Sequence, residues 1–475
     1  MENRSSEIRP DHNQMSVAEM DRAATLHPFT PVRAFEADET GGPRIMRSAS
    51  GIRVEDADGK ISIDGFAGLY CVNIGYGRAE VAEAIAEQAR NLAYYHAYAG
   101  HTTEGLARLS YRLVAMAPGD MRKVFYGLSG SDANETQAKL VWHYHNLIGK
   151  PHKKKIIARD RGYHGCSVVS GSMTGMSFYH DHMDLPVNNI LHTGAPHHYW
   201  GAEGDESEEA FSARRADELE SMILAEGPDT VGGFIGEPVL GTGGITPPPR
   251  GYWAAIQEVL RRHDVLLIAD EVVTAFGRLG APFGCHYYEI EPDLITVAKG
   301  LTSAYAPLSA VLIGARVAEA LSAHSDAVGP FSHGYTYSGH PISIAAANAN
   351  LDILEREDIT GHVARHGGYL RESLAHAVKD VPIIGEVRGV GMLAAIEFVA
   401  DPSVKKRFDP ALKVGARISA ACLKHGLIAR AMPHGDILGF APPLITTRGD
   451  MEEIADIAGR AVGEVVDELT RSGAL

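Results

Sequence analysis

Cysteine is scarce in this chain. Its 475 residues include four, Cys71, Cys166, Cys285 and Cys422, scattered and without a CxxC pair. Such spacing reads as reduced, mostly packed thiols in a cytoplasmic protein rather than a disulfide framework. No apolar run reaches about 18 residues, so no transmembrane helix is expected. The opening stretch MENRSSEIRPDHNQ lacks the apolar centre of a secretory signal. Positive charge is in the minority, 44 Lys+Arg against 60 Asp+Glu for a net charge of −16. That argues against nonspecific attachment to nucleic acid or to acidic membranes. Histidine is plentiful at 23, yet no HExxH and no Cys/His ligand spacing accompanies it. A metal site is therefore the weaker reading, and most histidines are expected to be solvated, with a few lining a pocket. Neither a GxGxxG nor a P-loop lysine motif follows a strand, and no repeat, low-complexity segment or flexible linker interrupts the chain.

What is present is an ordinary globular composition, 45% hydrophobic and 22% charged, long enough for two or three units sharing large cores. Glycine, 51 residues, exceeds the usual ~7% and suits many tight strand-to-helix turns at a loop-built site. The informative stretch is VLLIADEVVTAFGRLGAPFGCHYYEIEPDLITVAKGL, from Val265 to Leu301. One short apolar run, Val265 to Ala269, stops on Asp270; a second, Leu294 to Ala298, stops on Lys299. Runs this short and unalternating suit strands buried on both faces of a parallel sheet. Ligands of such sheets sit beyond the carboxyl ends of the strands, so an acid and an amine are expected at the rim of one crevice. That pair suits pyridoxal 5′-phosphate. A desolvated lysine amine condenses with its aldehyde, and a carboxylate keeps its ring nitrogen protonated. A strand-end salt bridge is the plain alternative for an isolated Asp and Lys.

The surrounding pattern resembles the signature of class III (omega-type) PLP-dependent aminotransferases: strand, acid, Gly/Ala-rich follow-on, second strand, and lysine followed by Gly300. One departure is Ala275, where the family usually has glycine, expected to add a methyl near the cofactor floor. Further motifs follow in family order. Gly130-Ser131-Asp132-Ala133-Asn134, between the strand Lys123–Tyr126 and a long helix to about Ile148, resembles GSxAN. Its turn offers backbone N–H groups and a positive helix end, and the resemblance assigns Gly130 and Ser131 to the cofactor phosphate. Tyr163-His164-Gly165, after the strand Lys155–Ala158, resembles YHG and implies that Tyr163 stacks on the ring. Glu237, ending the strand Val231–Ile235, matches a glutamate near that ring; His164 and Val272 complete the expected cofactor set. His333-Gly334-Tyr335-Thr336-Tyr337-Ser338-Gly339-His340-Pro341 resembles HGxTYSGHP, in which the threonine reaches the phosphate of the partner subunit's cofactor. Thr336 therefore implies a homodimer with shared active sites, or a tetramer of dimers.

For the substrate, the resemblance points to Tyr70, which also reads as plain core packing, and to Tyr98 in the cluster Tyr94-Tyr95-His96-Ala97-Tyr98. Arg430 corresponds to the arginine that binds a substrate carboxylate, and a planar guanidinium suits that task. Relatives using ornithine or 4-aminobutyrate with 2-oxoglutarate usually place a glutamate where this chain has Thr242. Threonine cannot pair with that arginine, which implies the amine or omega-amino acid:pyruvate branch. Other reactions of the same cofactor, decarboxylation or amino-group migration, and a 2-oxoglutarate-dependent aminotransferase are the rivals.

The expected fold is α/β, the PLP-dependent transferase fold type I. A large domain with a mostly parallel sheet (76–340) joins a small α+β domain built from both chain ends (1–75 and 341–475). Residues 1 to about 34 are expected to form an arm or short helix anchored at His27-Pro28-Phe29, and residues 45–63 a small antiparallel hairpin. Residues 194–212 read as an acidic surface excursion before a helix from Ala213 to Ala225. Helices are expected over Glu104–Met116, Pro341–Glu355 and Val363–Val378, and a strand over Leu393–Val399. The resemblance covers about Phe29 to Glu464.

Overall fold

A computed structural model describes residues 15–475, so the first fourteen residues of the expected N-terminal arm lie outside the described residues. The rest of the arm forms two short helices, Val17–Ala24 and Val32–Glu36. Ser16 and Glu19 close a capping box on the first, satisfying two otherwise orphan N–H donors. Three antiparallel strands follow, β1 (Met46–Ser50), β2 (Arg53–Asp56) and β3 (Ile61–Asp64).

The chain then builds its main sheet from β4 (Met121–Gly127), β5 (Lys155–Arg159), β6 (Ile190–Thr193), β7 (Val231–Gly236), β8 (Leu266–Asp270), β9 (Leu294–Val297) and β10 (Ser309–Gly314). Their order is β4-β10-β9-β8-β7-β5-β6. β10 alone runs against its neighbours; all other pairs are parallel. Every residue of β8, β9 and β10 is buried, which is why these segments read as unbroken apolar runs. Alternate side chains serve opposite faces. Leu267, Ala269, Ile295 and Val297 join one apolar core, while Leu266, Ile268 and Leu294 join the other.

Two further strands, β11 (Ile384–Val390) and β12 (Leu393–Phe398), precede β13 (Leu427–Ile428), β14 (Arg430–Ala431) and β15 (Ile437–Phe440). β11, β12, β15 and β14 form an antiparallel sheet. β13 instead lies parallel to β3 and completes a four-stranded sheet with the N-terminal strands. Both ends of the chain thus meet in one sheet. The last helix, Arg448–Arg471, packs along this C-terminal part with nine of its residues buried, from Met451 to Leu469. Among the described residues, no helix is long and apolar enough to cross a membrane.

The structure departs from sequence expectation in several places. The helix expected from Ala213 begins at Glu208 and runs to Glu226. Ser207 caps it, and Glu208 and Glu209 fill its first turn, where carboxylates complement the positive helix end. Acidity there marks a helix start rather than a surface loop, and Phe211 and Ser212 are buried. Three histidines are buried, His145, His164 and His197, each beside a hydrogen-bonding partner. Ala275 belongs to the apolar core and does not line the cavity described below. Its methyl group is spent on packing.

Candidate active site

The parallel register sets Asp270 opposite Thr296, so Lys299, three residues further on, emerges beside the acid. A cavity of about 350 Å³ opens at these strand ends. The structure brings to it Gly130, Ser131, Tyr163, His164, Glu237, Thr242, Asp270, Val272 and Lys299.

Asp270 is 3% exposed, and a carboxylate so buried needs donors. Its Oδ2 accepts from Asn134 Nδ2 at 2.8 Å and faces His164 Nδ1 at 2.8 Å. Among the described residues its Oδ1 accepts the Val272 N–H alone, at 3.1 Å, which leaves acceptor capacity on that oxygen. Asn134 also donates to the His164 carbonyl at 2.7 Å and accepts from Thr296 Oγ1 at 2.7 Å. Thr296 Oγ1 in turn accepts from Gln137 at 3.0 Å. Asn134 and Gln137 stand one turn apart on the helix Gly130–Leu147, so one helix face orients the acid. Sequence reasoning quoted Asn134 as part of a glycine/serine motif and gave it no role; its position in that motif was the available signal. Neighbouring Glu271 was also passed over. It points away, into a nest made by the Gly284 and Cys285 N–H groups and the Thr274 hydroxyl, and burial raises its pKa.

The helix Gly130–Leu147 starts at Ser129, whose side chain forms a capping box with Asp132. Asp132 also receives the Leu128 N–H and the Ser309 hydroxyl, so this acid is consumed in holding the turn. A Cβ at Gly130 would stand 3.1 Å from Val272, and one at Gly165 only 2.8 Å from the Ser131 Cα. Gly165 has φ +134°, a conformation glycine alone adopts easily. The turn is thus crowded by the Val272 side chain and by the segment at Gly165, and its first-turn residues Gly130 and Ser131 line the cavity.

Lys299 opens a single 3₁₀ turn, Lys299–Leu301, at φ +41°. Such strain in a non-glycine residue persists only where the surroundings over-determine it. Asn350 does so by donating to the carbonyls of Gly300 and Leu301 at 2.9 and 3.0 Å and accepting the Ser303 hydroxyl at 2.7 Å. A Cβ on Gly300 would meet Asn73, whose side chain spans from Phe276 to Arg278.

On the opposite wall, Glu237 is 4% exposed. Its oxygens accept the Tyr163 N–H at 3.0 Å and the Gly241 N–H at 2.7 Å. Burial raises its pKa, and the charge of Asp270 pushes the same way. Tyr163 is pushed up to about 12, first by burial. Thr242 is buried in the loop that follows Glu237. Arg430 starts β14 with its guanidinium 5.6 Å from the Phe66 ring centroid, and its charge reaches Tyr70, Tyr163 and Tyr179. No carboxylate of the described residues pairs with it.

Four expected residues, Arg430 among them, stand outside the lining of this cavity. Tyr70 is 2% exposed and packs on Phe66 and Met432, with Lys299 Nζ 6.0 Å from its ring centroid; core packing and proximity to the amine both hold. Tyr98 is 46% exposed and sits against Gly334. Thr336 is exposed too, its carbonyl accepting the Tyr94 hydroxyl at 2.7 Å.

Residues 35–462 match the model of the aminotransferase class-III family. The chain belongs to the class-III aminotransferases. It is 66% identical over 457 residues to an uncharacterized aminotransferase, y4uB, of Sinorhizobium fredii, covering 96% of this chain and 98% of that protein. It is 57% identical to a diaminobutyrate–2-oxoglutarate transaminase of Halomonas elongata, covering 96% and 97%. The omega transaminase of Pseudomonas jessenii in complex with PMP superposes with a TM-score of 0.93 at 41% identity, covering 96% of this chain and 99% of that one. The seven-stranded mixed sheet is the fold type I arrangement, and the cofactor of this aminotransferase is pyridoxal 5′-phosphate. The cavity suits it: a buried acid with a free acceptor site, an amine at an adjacent strand end, and a glycine turn whose N–H groups suit an anion.

Proposed function

We propose that this aminotransferase moves an amino group from a primary amine or an omega-amino acid to an oxo acid, with pyruvate as acceptor, in two half-reactions. The observation that carries the reading is Asp270, held on Oδ2 by Asn134 and His164, on a cavity wall shared with Lys299. When bound, pyridoxal phosphate supplies the aldehyde that takes up nitrogen and the ring that accepts electrons from a carbanion. Lys299 Nζ removes the proton from the nitrogen-bearing carbon of the substrate and then returns one, as general base and general acid. Asp270 holds the proton on the ring nitrogen, Tyr163 covers the ring face and excludes water, and Glu237, His164 and Val272 complete the wall. Gly130 and Ser131 hold the phosphate. Thr336 reaches the phosphate bound by a second copy of the chain. The exposed aromatic cluster of Tyr94, Tyr95, Tyr98 and Tyr337 supports a homodimer in which Tyr98 joins the substrate pocket only across the interface. Tyr70 bounds donor size. Arg430, over the Phe66 ring, takes the acceptor carboxylate. The unit boundaries 1–75, 76–340 and 341–475 belong to the same reading, supported by the pairing of β13 with β3.

A second acceptor, 2-oxoglutarate, is favoured by the Halomonas relative. The test is the visible spectrum of the yellow protein. A primary amine without acceptor should bleach it, and pyruvate should restore the colour faster than 2-oxoglutarate. The reverse order makes 2-oxoglutarate the acceptor, and a protein that stays colourless with added cofactor removes the reading.

A further inference from the structure

The loop from Glu237 to Thr246 carries two cavity residues, Glu237 and Thr242, and has little regular structure to hold it. Leu240 and Thr246 exchange both backbone hydrogen bonds, at 3.1 and 2.9 Å, and close its neck. Within it, Gly244 N–H and Ile245 N–H both donate to the Gly241 carbonyl, and Gly241 N–H donates to Glu237. The carbonyls of Gly243, Gly244 and Ile245 then face away from the cavity, where buried groups without partners would cost stability.

Two buried arginines take them. Arg161 Nε donates to the Gly243 carbonyl at 2.9 Å. Arg388, on β11, donates Nε to the Gly244 and Ile245 carbonyls at 3.1 and 3.0 Å, and Nη2 to the Gly244 carbonyl at 2.6 Å. Its remaining nitrogen, Nη1, donates to Glu397 at 2.7 Å and Glu386 at 3.0 Å. Glu397, on β12, is 1% exposed and accepts Trp200 Nε1 on its other oxygen at 2.8 Å. Even the glycine at 244 belongs to this arrangement: a Cβ there would lie 2.7 Å from the Arg161 Nη2 and 3.1 Å from the Arg388 Nη2.

We propose that Arg388, oriented by Glu397, is a positioning residue for the pocket, fixing the Glu237–Thr246 loop from behind and so setting where Thr242 and Glu237 stand. Arg388 does not line the cavity; it acts through two carbonyls. A planar fork reaches those carbonyls and two carboxylates at once, which a single ammonium cannot do. Because Arg161 anchors the adjacent carbonyl independently, altering Arg388 loosens the loop without releasing it. The kinetic consequence rests on the transaminase reading with Thr242 at the acceptor site; the structural consequence does not.

The test uses full-length Arg388→Lys and, as a milder change, Glu397→Gln. Hydrogen exchange on the cofactor-free proteins should show the Gly241, Gly244 and Ile245 amides exchanging about tenfold faster or more in Arg388→Lys, with β8 and β9 unchanged. Glu397→Gln should move them in the same direction by less. On the loaded protein, KM for the oxo acid should rise about tenfold while the amine half-reaction slows less than about threefold. Unchanged exchange in both variants overturns the proposal. So does a parallel fall in kcat and Tm with KM unmoved, the mark of a merely structural residue. An Arg388→Lys protein matching the parent in both readouts overturns the claim that the fork is needed. Should the parent show no transamination at all, the function reading fails alone and exchange still decides this one.

Discussion

The floor of the cavity and its rim are built in different ways. The floor, Asp270, Lys299, His164 and the turn at Gly130, stands on strand ends and helix starts of the main sheet. Asp270 is bonded to His164, and a chain of polar bonds runs to it from Gln137 through Thr296 and Asn134. The residues proposed for the rim, Tyr70, Tyr98, Thr242, Thr336 and Arg430, sit on short helical turns, loops and a two-residue strand, and Tyr98 and Thr336 are exposed in a single chain. On the proposed reading, chemistry common to a reaction class is placed on the rigid part, and the choice of substrate on the adjustable part.

The comparison breaks if floor changes are mild. Lys299→Ala should lower transamination on the order of 10⁴-fold or more, because it removes the group that moves the proton. Single-turnover absorbance measures this, and Tm should hold steady. Asp270→Asn should cost on the order of 10³-fold. The new amide places N–H groups against the donors of Asn134 and His164, so its absorbance spectrum should change even without substrate. The comparison sharpens if a rim change redirects the enzyme instead of stopping it. Thr242→Glu should give Arg430 a carboxylate partner and move the ratio of kcat/KM values toward 2-oxoglutarate by about ten- to a hundredfold. Competing acceptors in one assay show the ratio directly; an unchanged ratio separates Thr242 from acceptor choice.

A smaller effect tests the wiring of the floor. Asn134→Leu leaves Thr296 Oγ1 without its acceptor and Asp270 with one donor fewer, for a loss of about 1–3 kcal/mol in urea unfolding. A variant as stable as the parent would show that the network is dispensable.

This asymmetry also governs what could be read from the sequence. β8 and β9 were legible because burial on both faces leaves an unbroken apolar run, and their ends then located Asp270 and Lys299. Asn134 and Asn350 were harder, since an asparagine inside a helix carries no sign of what its amide will meet across 136 or 50 residues of chain. Arg388 looked like any charge in a glycine-rich segment, and only the fold sets it behind Gly244. The acidic run before Phe211 misled because carboxylates at a helix start and in a solvated loop look alike in composition. Tyr98 and Thr336 are legible as motif members, yet in a single chain both are exposed and outside the cavity lining.

The finest probe follows Glu237, the buried acid of the wall, by pH. Burial holds the Glu237 carboxyl above its ordinary value of 4.5, with Asp270 adding to the rise and His164 opposing it. As pH climbs past that ordinary value the unfolded chain ionises first, so the folded state holds more protons and stability falls until pH passes the folded value. Below about 4.5 both states are protonated and Glu237 contributes no slope. Glu237→Gln removes the slope and leaves a single amide oxygen for the Tyr163 and Gly241 N–H donors, a constant loss of about 1 kcal/mol. The parent's advantage over the variant should therefore be greatest near pH 4.5 and shrink toward neutrality, as urea midpoints from pH 4 to 8 would record. Glu271, raised in the same sense by burial, is present in both proteins and cancels. An advantage that grows with pH would mean that the two N–H donors outweigh burial and hold Glu237 ionised.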